Sequence, residues 1–490
     1  MNIYIGIDVG TTSVKTTAIG ENGERLGSAK RAYELHTNGG LEVTQSADDW
    51  WTATAGSVRE LTKKLACVES NGAGASRVRA ISISAQGGST PAVDADGNAM
   101  TEAMTWMDKR AFAESDELTS HFTADGLYRS FGWRATPGCD AAKLLWLKKH
   151  RPEIFEKAAS FPSTLGWINL KLTGKNVEDP TCAAIRRLYD IGSDHMSREM
   201  LDYIGIDEGR LPKILPTGAF VGYLTDGAAE TLGLDKSVAV FNGAHDQYCA
   251  SLGSGISGSG ELLLATGTAW VLFGVTEKPL FTASYISPGR HPTGKFGALA
   301  TVSGFGATFE WLSALTATPL AELSRGAEAD GRREKDRSIM FRPFVSGTGL
   351  LCGANGGTLD GLGINSDKYD LALTLMEGAA FETRLVIDEF RKSGMKDMKK
   401  LTMTGGATAS TLWQRLVAAA ADIPLYVSPE TNSPATGAAV LAAAGYNGME
   451  KCGEYSGRFA LPGECVIPDQ GFSDFYRGKL DDYLKWCRAL

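Results

Sequence analysis

The sequence predicts an α/β protein of two domains, on three observations. Strand-like apolar runs alternate with helix-like ones along the whole chain, the pattern of α/β architectures. Several of those runs stop at Gly-rich turns, at the end of the strand where open α/β sheets bind ligands. The opening stretch "IGIDVGTTSVKTTAI" (5–19) also has an echo, "LLLATGTAWVLFGV" (262–275), about half a chain later. A chain of 490 residues is too long for one core. Two related domains, each opening on a Gly/Thr hairpin, are therefore expected, as 1–244 and 245–490, with the boundary at "NGAHD" (242–246).

The elements follow in order. Residues 5–9 form an apolar strand that enters a turn of Gly10, Thr11, Thr12 and Ser13, and a second strand carries Lys15. "RVRAISISAQGG" (77–88) is a strand running into glycines, "SVAVFNGAHD" (237–246) is one ending at Asp246, and "KKLTMTGGATAS" (399–410) is another. Helical patterns occupy 141–150, 246–253 and 411–423. In the last, Trp413, Leu416, Val417 and Ala420 share one face, and Ser410 stands as N-cap.

Composition narrows the function. Apolar content of 43% and charged content of 22% are those of an ordinary globular protein. The longest apolar runs, such as "AAVLAAAG" near residue 440, are far short of a bilayer span, and the N-terminus reads as strand rather than signal peptide. The eight cysteines form no CxxC pair, which favours reduced thiols in a cytoplasmic setting over a zinc site or a disulfide framework. A net charge of -8 argues against nucleic acid. An anionic ligand would need local devices: backbone N–H groups, a lysine or two, a metal ion.

The first hairpin supplies such devices. Glycine admits close backbone approach, and successive N–H groups in a turn form an anion site. Thr11, Thr12 and Ser13 add hydroxyls and Lys15 a charge, while Asp8 makes sense beside phosphate if it holds Mg²⁺. The competing reading is a plain hairpin with Asp8 on a solvated edge. The second hairpin, Thr266-Gly267-Thr268, lacks acid and lysine, and Gly405-Gly406 ends a strand in a turn suited to a base or ribose, or simply to a tight bend. Asp246 reads either as an N-cap or as a catalytic base, and the two are compatible. A His245–Asp246 dyad is discounted, because neighbours in an extended segment point apart. "TWMDKR" (105–110) can grip a polyol, with Trp106 against an apolar face and Asp108 and Arg110 on hydroxyls; as a lone hexapeptide it is also a common surface turn.

The ordered set "GIDVGTTSVK", "ISAQGG", "TWMDKR", "GCDAAKLLWLKKH", "GAHDQYCASLGSG", "LATGTAWV" and "TGGATAS" resembles the FGGY family of carbohydrate kinases, from residue 5 to about 445. The resemblance implies two actin-like, ribonuclease-H-like domains around a deep cleft, and transfer of the γ-phosphate of MgATP to a hydroxyl of a small sugar. Carried over by position, it makes Asp246 the base and Asp8 the acid near Mg²⁺. Gly10, Thr11, Thr12 and Lys15 form the first phosphate turn, and Thr266, Gly267 and Thr268 the second. Gly304, Gly405, Gly406 and Ser410 fall on the nucleotide side. Gln86, Gly87, Trp106, Asp108, Arg110 and Gln247 fall with Asp246 where substrate hydroxyls are met. ATP and Mg²⁺ are the implied cofactors and a small sugar or polyol the partner; no membrane is expected, and a homodimer is compatible with the family.

The sequence departs from the family pattern in places. Xylulokinases carry Met-His after the glutamine, where this chain has Gly87 and Gly88, which reads as room in the pocket wall. Asp140 replaces the usual Pro, Ser or Thr, and Thr374-Leu375 the usual Arg-Ala before Glu377-Gly378. The expected substrate is a ketopentose such as xylulose, with erythritol, xylitol, glycerol or gluconate as alternatives. Two rivals of other classes are an actin-like ATPase switch and a sugar-binding module without catalysis. Asp8, Lys15 and Asp246 together speak against the second.

Overall fold

The computed structural model describes residues 1–68, 77–329, 338–345, 356–467 and 470–489. Residue contacts divide it into two units. The first is Met1–Ser257, Ser287–Gly297 and Asn432–Ala460; the second is Gly258–Ile286, Ala298–Thr431 and Leu461–Leu490.

The first unit is built on β1 (Ile3–Val9), β2 (Ser13–Gly20), β3 (Arg25–Ala32), β4 (Val78–Ala85), β5 (Phe220–Tyr223) and β6 (Ala239–His245), in the order β5-β6-β4-β1-β2-β3. β1 and β2 form an antiparallel hairpin, and β4 and β6 add in parallel on the other side of β1. β1 is buried along its whole length, as a central strand covered on both faces must be. Ile3, Ile5, Ile7 and Val9 join Trp50 and Trp167 in one core.

The second unit repeats this plan. Strands β7 (Glu261–Thr266), β8 (Trp270–Thr276), β9 (Phe296–Ser303), β10 (Lys400–Gly405), β11 (Leu425–Val427) and β12 (Glu464–Val466) run in the order β9-β8-β7-β10-β11-β12, and a seventh strand, Ser287–Arg290, lies beyond β9 at the edge of that sheet. β7 and β8 are an antiparallel hairpin, β10 and β11 add in parallel, and the outer strand is antiparallel, as in the first unit. The echo between the two Gly/Thr hairpins is thus an echo between whole sheets. The 25-residue helix Lys368–Lys392 and the helix Thr411–Ala421 close this core, the latter capped by Ser410, whose Oγ accepts from the Trp413 N–H at 3.3 Å.

The division differs from the expected cut at residue 244. Asp246 and its helix, Asp246–Gly253, stay with the first unit, and the chain returns to it in the helix Ser433–Asn447. The cause is close packing of small residues. A Cβ on Gly437 would lie 1.8 Å from the Cys249 carbonyl oxygen, and one on Gly6 would lie 1.8 Å from that of Ala435. The returning helix therefore sits directly on β1 and on the Asp246 helix. Among the described residues no helix is long and apolar enough to cross a membrane.

Candidate functional site

In the first unit the strand ends converge on an acidic pair. Asp8 pairs with Lys15 across the hairpin and with Ser84 across β4, and Ser84 Oγ donates to its Oδ1 at 2.8 Å. Asp8 is only 6% exposed, so the solvated-edge reading fails. Burial, and then the charge of Asp246, push its carboxyl up to about 7, against the opposing pull of Ser84 and Lys15.

Asp246 is the first residue of its helix, and His245 holds the N-cap position without a side-chain cap bond. The N-cap reading of Asp246 is therefore replaced by a first-turn acid, which the helix N-terminus still favours as an anion. The dyad argument also changes. The strand ends at His245 and the helix begins at Asp246, so the chain bends between them. The His245 Nε2 comes within 3.3 Å of Asp246 Oδ1 instead of pointing away. Oδ1 is buried without a hydrogen bond among the described residues, while the side chain as a whole is 28% exposed, which leaves Oδ2 as the accessible oxygen. Gln247 Oε1 is likewise buried and unbonded.

The glycine turn beside Asp8 is held from outside its own sequence. The Gly10 N–H bonds the Ser13 carbonyl at 3.2 Å, closing the turn. Tyr33 donates to the Gly10 carbonyl, Gln45 Nε2 to the Thr11 carbonyl, and Trp106 Nε1 to Thr11 Oγ1 at 3.1 Å. Thr12 is exposed. Gln86 Nε2 donates to Gln45 Oε1 at 2.8 Å, leaving Gln86 Oε1 buried and unbonded among the described residues. Tyr33 and Gln45 were invisible to sequence reasoning, which had no motif to attach them to.

Trp106 is half exposed, as a stacking face requires. Asp108 is not available to a ligand: it is fully buried, and its oxygens accept from the Val43 N–H and from the Arg110 N–H, Nε and Nη2. It holds Arg110, whose guanidinium also lies 5.0 Å over the Trp146 ring. The expected room at Gly87 is absent too. A Cβ there would lie 2.8 Å from both His245 Cδ2 and Ile185 Cδ1, so neighbouring side chains already fill that space. Gly88 adopts φ +63°, where a side chain is strained. Lys143 fixes this corner by donating to the Gly88 and Met104 carbonyls and to Asp140.

The second unit carries the other glycine turns. Gly267 and Thr268 are exposed between β7 and β8, and Thr266 pairs with Gly405 across the parallel strands. Thr266 Oγ1 donates to the Thr404 carbonyl at 2.6 Å and accepts from the Ala407 N–H at 3.2 Å, joining the two turns. Gly405, at φ +96°, and Gly406 are exposed. Gly304 caps the helix Phe305–Leu315, and the Ala307 N–H bonds the Thr268 carbonyl at 3.1 Å. Gly306, missed in the sequence, is what lets that helix approach: a Cβ on it would lie 2.2 Å from the Gly267 carbonyl oxygen. Ser410 Oγ is spent on its cap, which gives it a structural task before any ligand arrives. A cavity of about 1180 Å³ in the first unit, lined by Asn176, Tyr189, Lys213 and Arg290 among others, includes none of these site residues.

Two sheets of like strand order, each with Gly/Thr turns at its strand ends, are the two-domain actin-like fold. Residues 3–253 match the N-terminal domain of the FGGY family of carbohydrate kinases, and residues 262–446 its C-terminal domain. The chain belongs to that family, and is an ATP-dependent carbohydrate kinase. It is 24% identical to a xylulose kinase of Staphylococcus xylosus, over 99% of each chain. It is 26% identical to one of Bacillus subtilis, over 93% of this chain and 91% of that one. A solved xylulose kinase of Lactobacillus acidophilus superposes with a TM-score of 0.89 at 23% identity, over 100% of this chain and 98% of the other, a likeness of fold.

Proposed function

We propose that the chain phosphorylates a ketopentose, with D-xylulose the first choice, using ATP and Mg²⁺, Asp246 as the base and Asp8 at the metal. The observation that carries this reading is the buried Asp8 facing the charge of Asp246 beside the glycine turn. A buried carboxylate facing a second carboxylate is costly when ionised, and a cation held between them and the substrate phosphates would offset that cost. The xylulose kinases among the relatives support the choice of sugar.

The residues fit Mg²⁺ in its usual manner. Among the described residues no cluster of three or more His, Cys, Asp or Glu could cage a metal. Mg²⁺ needs no such cage, being held by one or two carboxylates with water and substrate phosphates. Asp8 would hold it, and when bound it supplies neutralising charge to the phosphate oxygens. In the first unit the exposed Thr12 and the half-buried Lys15, and in the second the exposed Gly267 and Thr268, would offer donors to phosphates, since the Gly10 N–H and the Thr266 hydroxyl are already engaged. Asp246 Oδ2 accepts the proton of the sugar hydroxyl as its oxygen bonds the γ-phosphorus and the bond to the β-phosphate oxygen breaks, releasing ADP. Arg110, fixed by Asp108, and Trp106 meet the sugar. We infer a cytosolic setting from the cysteines, which are free wherever they are described.

The test is ADP release by the native chain and by Asp246→Asn with D-xylulose, L-ribulose, erythritol, xylitol, glycerol and gluconate. Loss of the base should lower kcat ~10²–10⁴-fold with ATP binding kept. Near-native turnover by the variant would remove Asp246 from the mechanism. A native chain that binds ATP but accepts none of the six would overturn the substrate class.

A further inference from the structure

We propose that His245 is a positioning residue of the phosphoryl-acceptor site, orienting Asp246 through Nε2 while its ring takes the place of a side chain at position 87. This rests on Asp246 being the base.

The backbone of His245 is fixed before its ring comes into play. Its N–H donates to Thr181 Oγ1 at 2.9 Å, and Thr181 Oγ1 donates to Asp179 at 2.8 Å. Asp179 is fully buried and also accepts from the Cys182 N–H at 2.9 Å and from Thr217 Oγ1 at 2.7 Å. Strand β6 therefore ends at one defined point, with the imidazole directed to the base of the acidic pair.

The ring has two neighbours that matter. On one side lies Gly87, where any Cβ would come within 2.8 Å of His245 Cδ2. At the adjacent ring atom, Nε2, is Asp246 Oδ1, 3.3 Å away and without a hydrogen bond among the described residues. At 3.3 Å the two atoms are within reach but not aligned as a hydrogen bond, and catalytic hydrogen bonds are often poorly aligned until the substrate arrives. With the proton on Nε2, the imidazole donates to Oδ1, holds the carboxylate plane, and leaves Oδ2 as the oxygen that takes the substrate proton. Oδ1 alone would be a buried anionic oxygen with no donor, which is costly. Gly87 is then glycine because the His245 ring and the Ile185 side chain need its space, and the pocket wall after Gln86 is supplied from β6 and the helix Pro180–Ile185 rather than from the loop after β4.

The experiment compares His245→Leu, which keeps bulk without a donor, with His245→Gln, whose amide can donate near the Nε2 position. The probe is whichever of the six compounds above the native chain turns over fastest. Loss of a hydrogen bond to a charged group should lower kcat of the leucine variant roughly 10- to 100-fold. KM for ATP and the melting temperature should hardly move, and the glutamine variant should stay within about 5-fold of native kcat. Native kcat in His245→Leu, or equal losses in both variants, would overturn the proposal. Gly87→Met adds a test that keeps the imidazole: it should displace the ring and lower kcat and melting temperature together. Combined with His245→Gly and Ile185→Ala, which clear both neighbours of that Cβ, it should recover part of the melting temperature but not kcat. A Gly87→Met variant with native kcat would also overturn the proposal. Asp246→Asn, run alongside, separates the two levels. If it is inactive while His245→Leu is native, only the role of His245 falls; if it is native, the base assignment falls first.

Discussion

Trp50 Nε1 donates to Gln45 Oε1 at 3.1 Å, and that bond fixes the polarity of two buried amides. An indole N–H can only donate, so the oxygen of Gln45 must face it. The amide nitrogen of Gln45 then faces the Thr11 carbonyl, which can only accept. Gln86 must turn its own nitrogen to Gln45, so its unbonded atom is an oxygen. One side chain thereby ties the phosphate turn at Thr11 to the expected sugar contact at Gln86, across 34 residues on one side and 41 on the other.

Substitutions at Gln45 should separate these ties. Gln45→Glu keeps the acceptor for Trp50 and Gln86 but loses the donor to Thr11. It should raise KM for ATP several-fold, with a smaller effect on KM for the sugar. Gln45→Leu removes every bond, leaving the buried Trp50 Nε1 and Gln86 Nε2 without partners at about 1–3 kcal/mol each, and the half-buried Thr11 carbonyl without its donor. It should lower the melting temperature and raise both KM values. Steady-state kinetics on the three proteins decide it; unchanged KM values in Gln45→Leu would confine Gln45 to a structural role.

Glu382 gives the second unit a pH dependence. It lies in the helix Lys368–Lys392 and accepts from Tyr483 Oη at 2.6 Å, pinning the C-terminal helix, Gln470–Ala489. Burial pushes its carboxyl up to about 7 in spite of Tyr483 and the charge of Arg342. An acid that holds its proton more tightly when folded stabilises the fold fully below its unfolded pKa, near 4.5, and this contribution is lost as pH rises through about 7. Glu382→Gln removes the titration. Its melting temperature minus that of the native chain should become more positive between pH 4.5 and pH 7.5. Parallel melting curves across that range would show that Glu382 does not titrate there.

Local chemistry was legible in the sequence, and long-range packing was not. The two Gly/Thr hairpins, Asp8 beside the first of them and the Ser410 cap all depend on residues within a few positions of each other. The strand order of the two sheets was not legible, because it is set by pairings between residues far apart in the chain. Asp108 was misread because exposure cannot be seen in a hexapeptide, and its partner Val43 lies 65 residues away. Gly87 was misread as space because the side chains that fill it, His245 and Ile185, arrive from other elements. Allocation of Ser433–Asn447 to the first unit depends on carbonyl-to-glycine contacts that no periodicity encodes.

Asp140, where the family pattern has a small residue or proline, is one half of a fully buried charge balance. It accepts from Lys143 Nζ at 3.1 Å and from Arg186 Nε, and Arg186 Nη1 reaches Glu178 at 2.8 Å. Asp140 and Glu178 face Lys143 and Arg186 here, with the buried Arg187 also in the field of Asp140, and burial pulls Lys143 below and pushes Glu178 above their ordinary pKa values. Asp140→Ser would leave Lys143 and Arg186 facing Glu178 alone, a loss worth about 3–5 kcal/mol when one partner of a buried pair is removed. The variant should melt well below the native chain at pH 7. It should regain part of the difference at pH 9.5, where Lys143, freed of its counter-charge, releases its proton more readily. Adding Lys143→Met removes the cation left without its partner and keeps Arg186 paired with Glu178, so the double variant should recover most of the stability. It should not recover sugar affinity, because Lys143 is also the donor to the Gly88 and Met104 carbonyls at the proposed substrate wall. A melting temperature restored alongside a raised sugar KM is the expected pair of readings. A double variant as unstable as Asp140→Ser would mean that packing, not charge balance, sets the cost at this position.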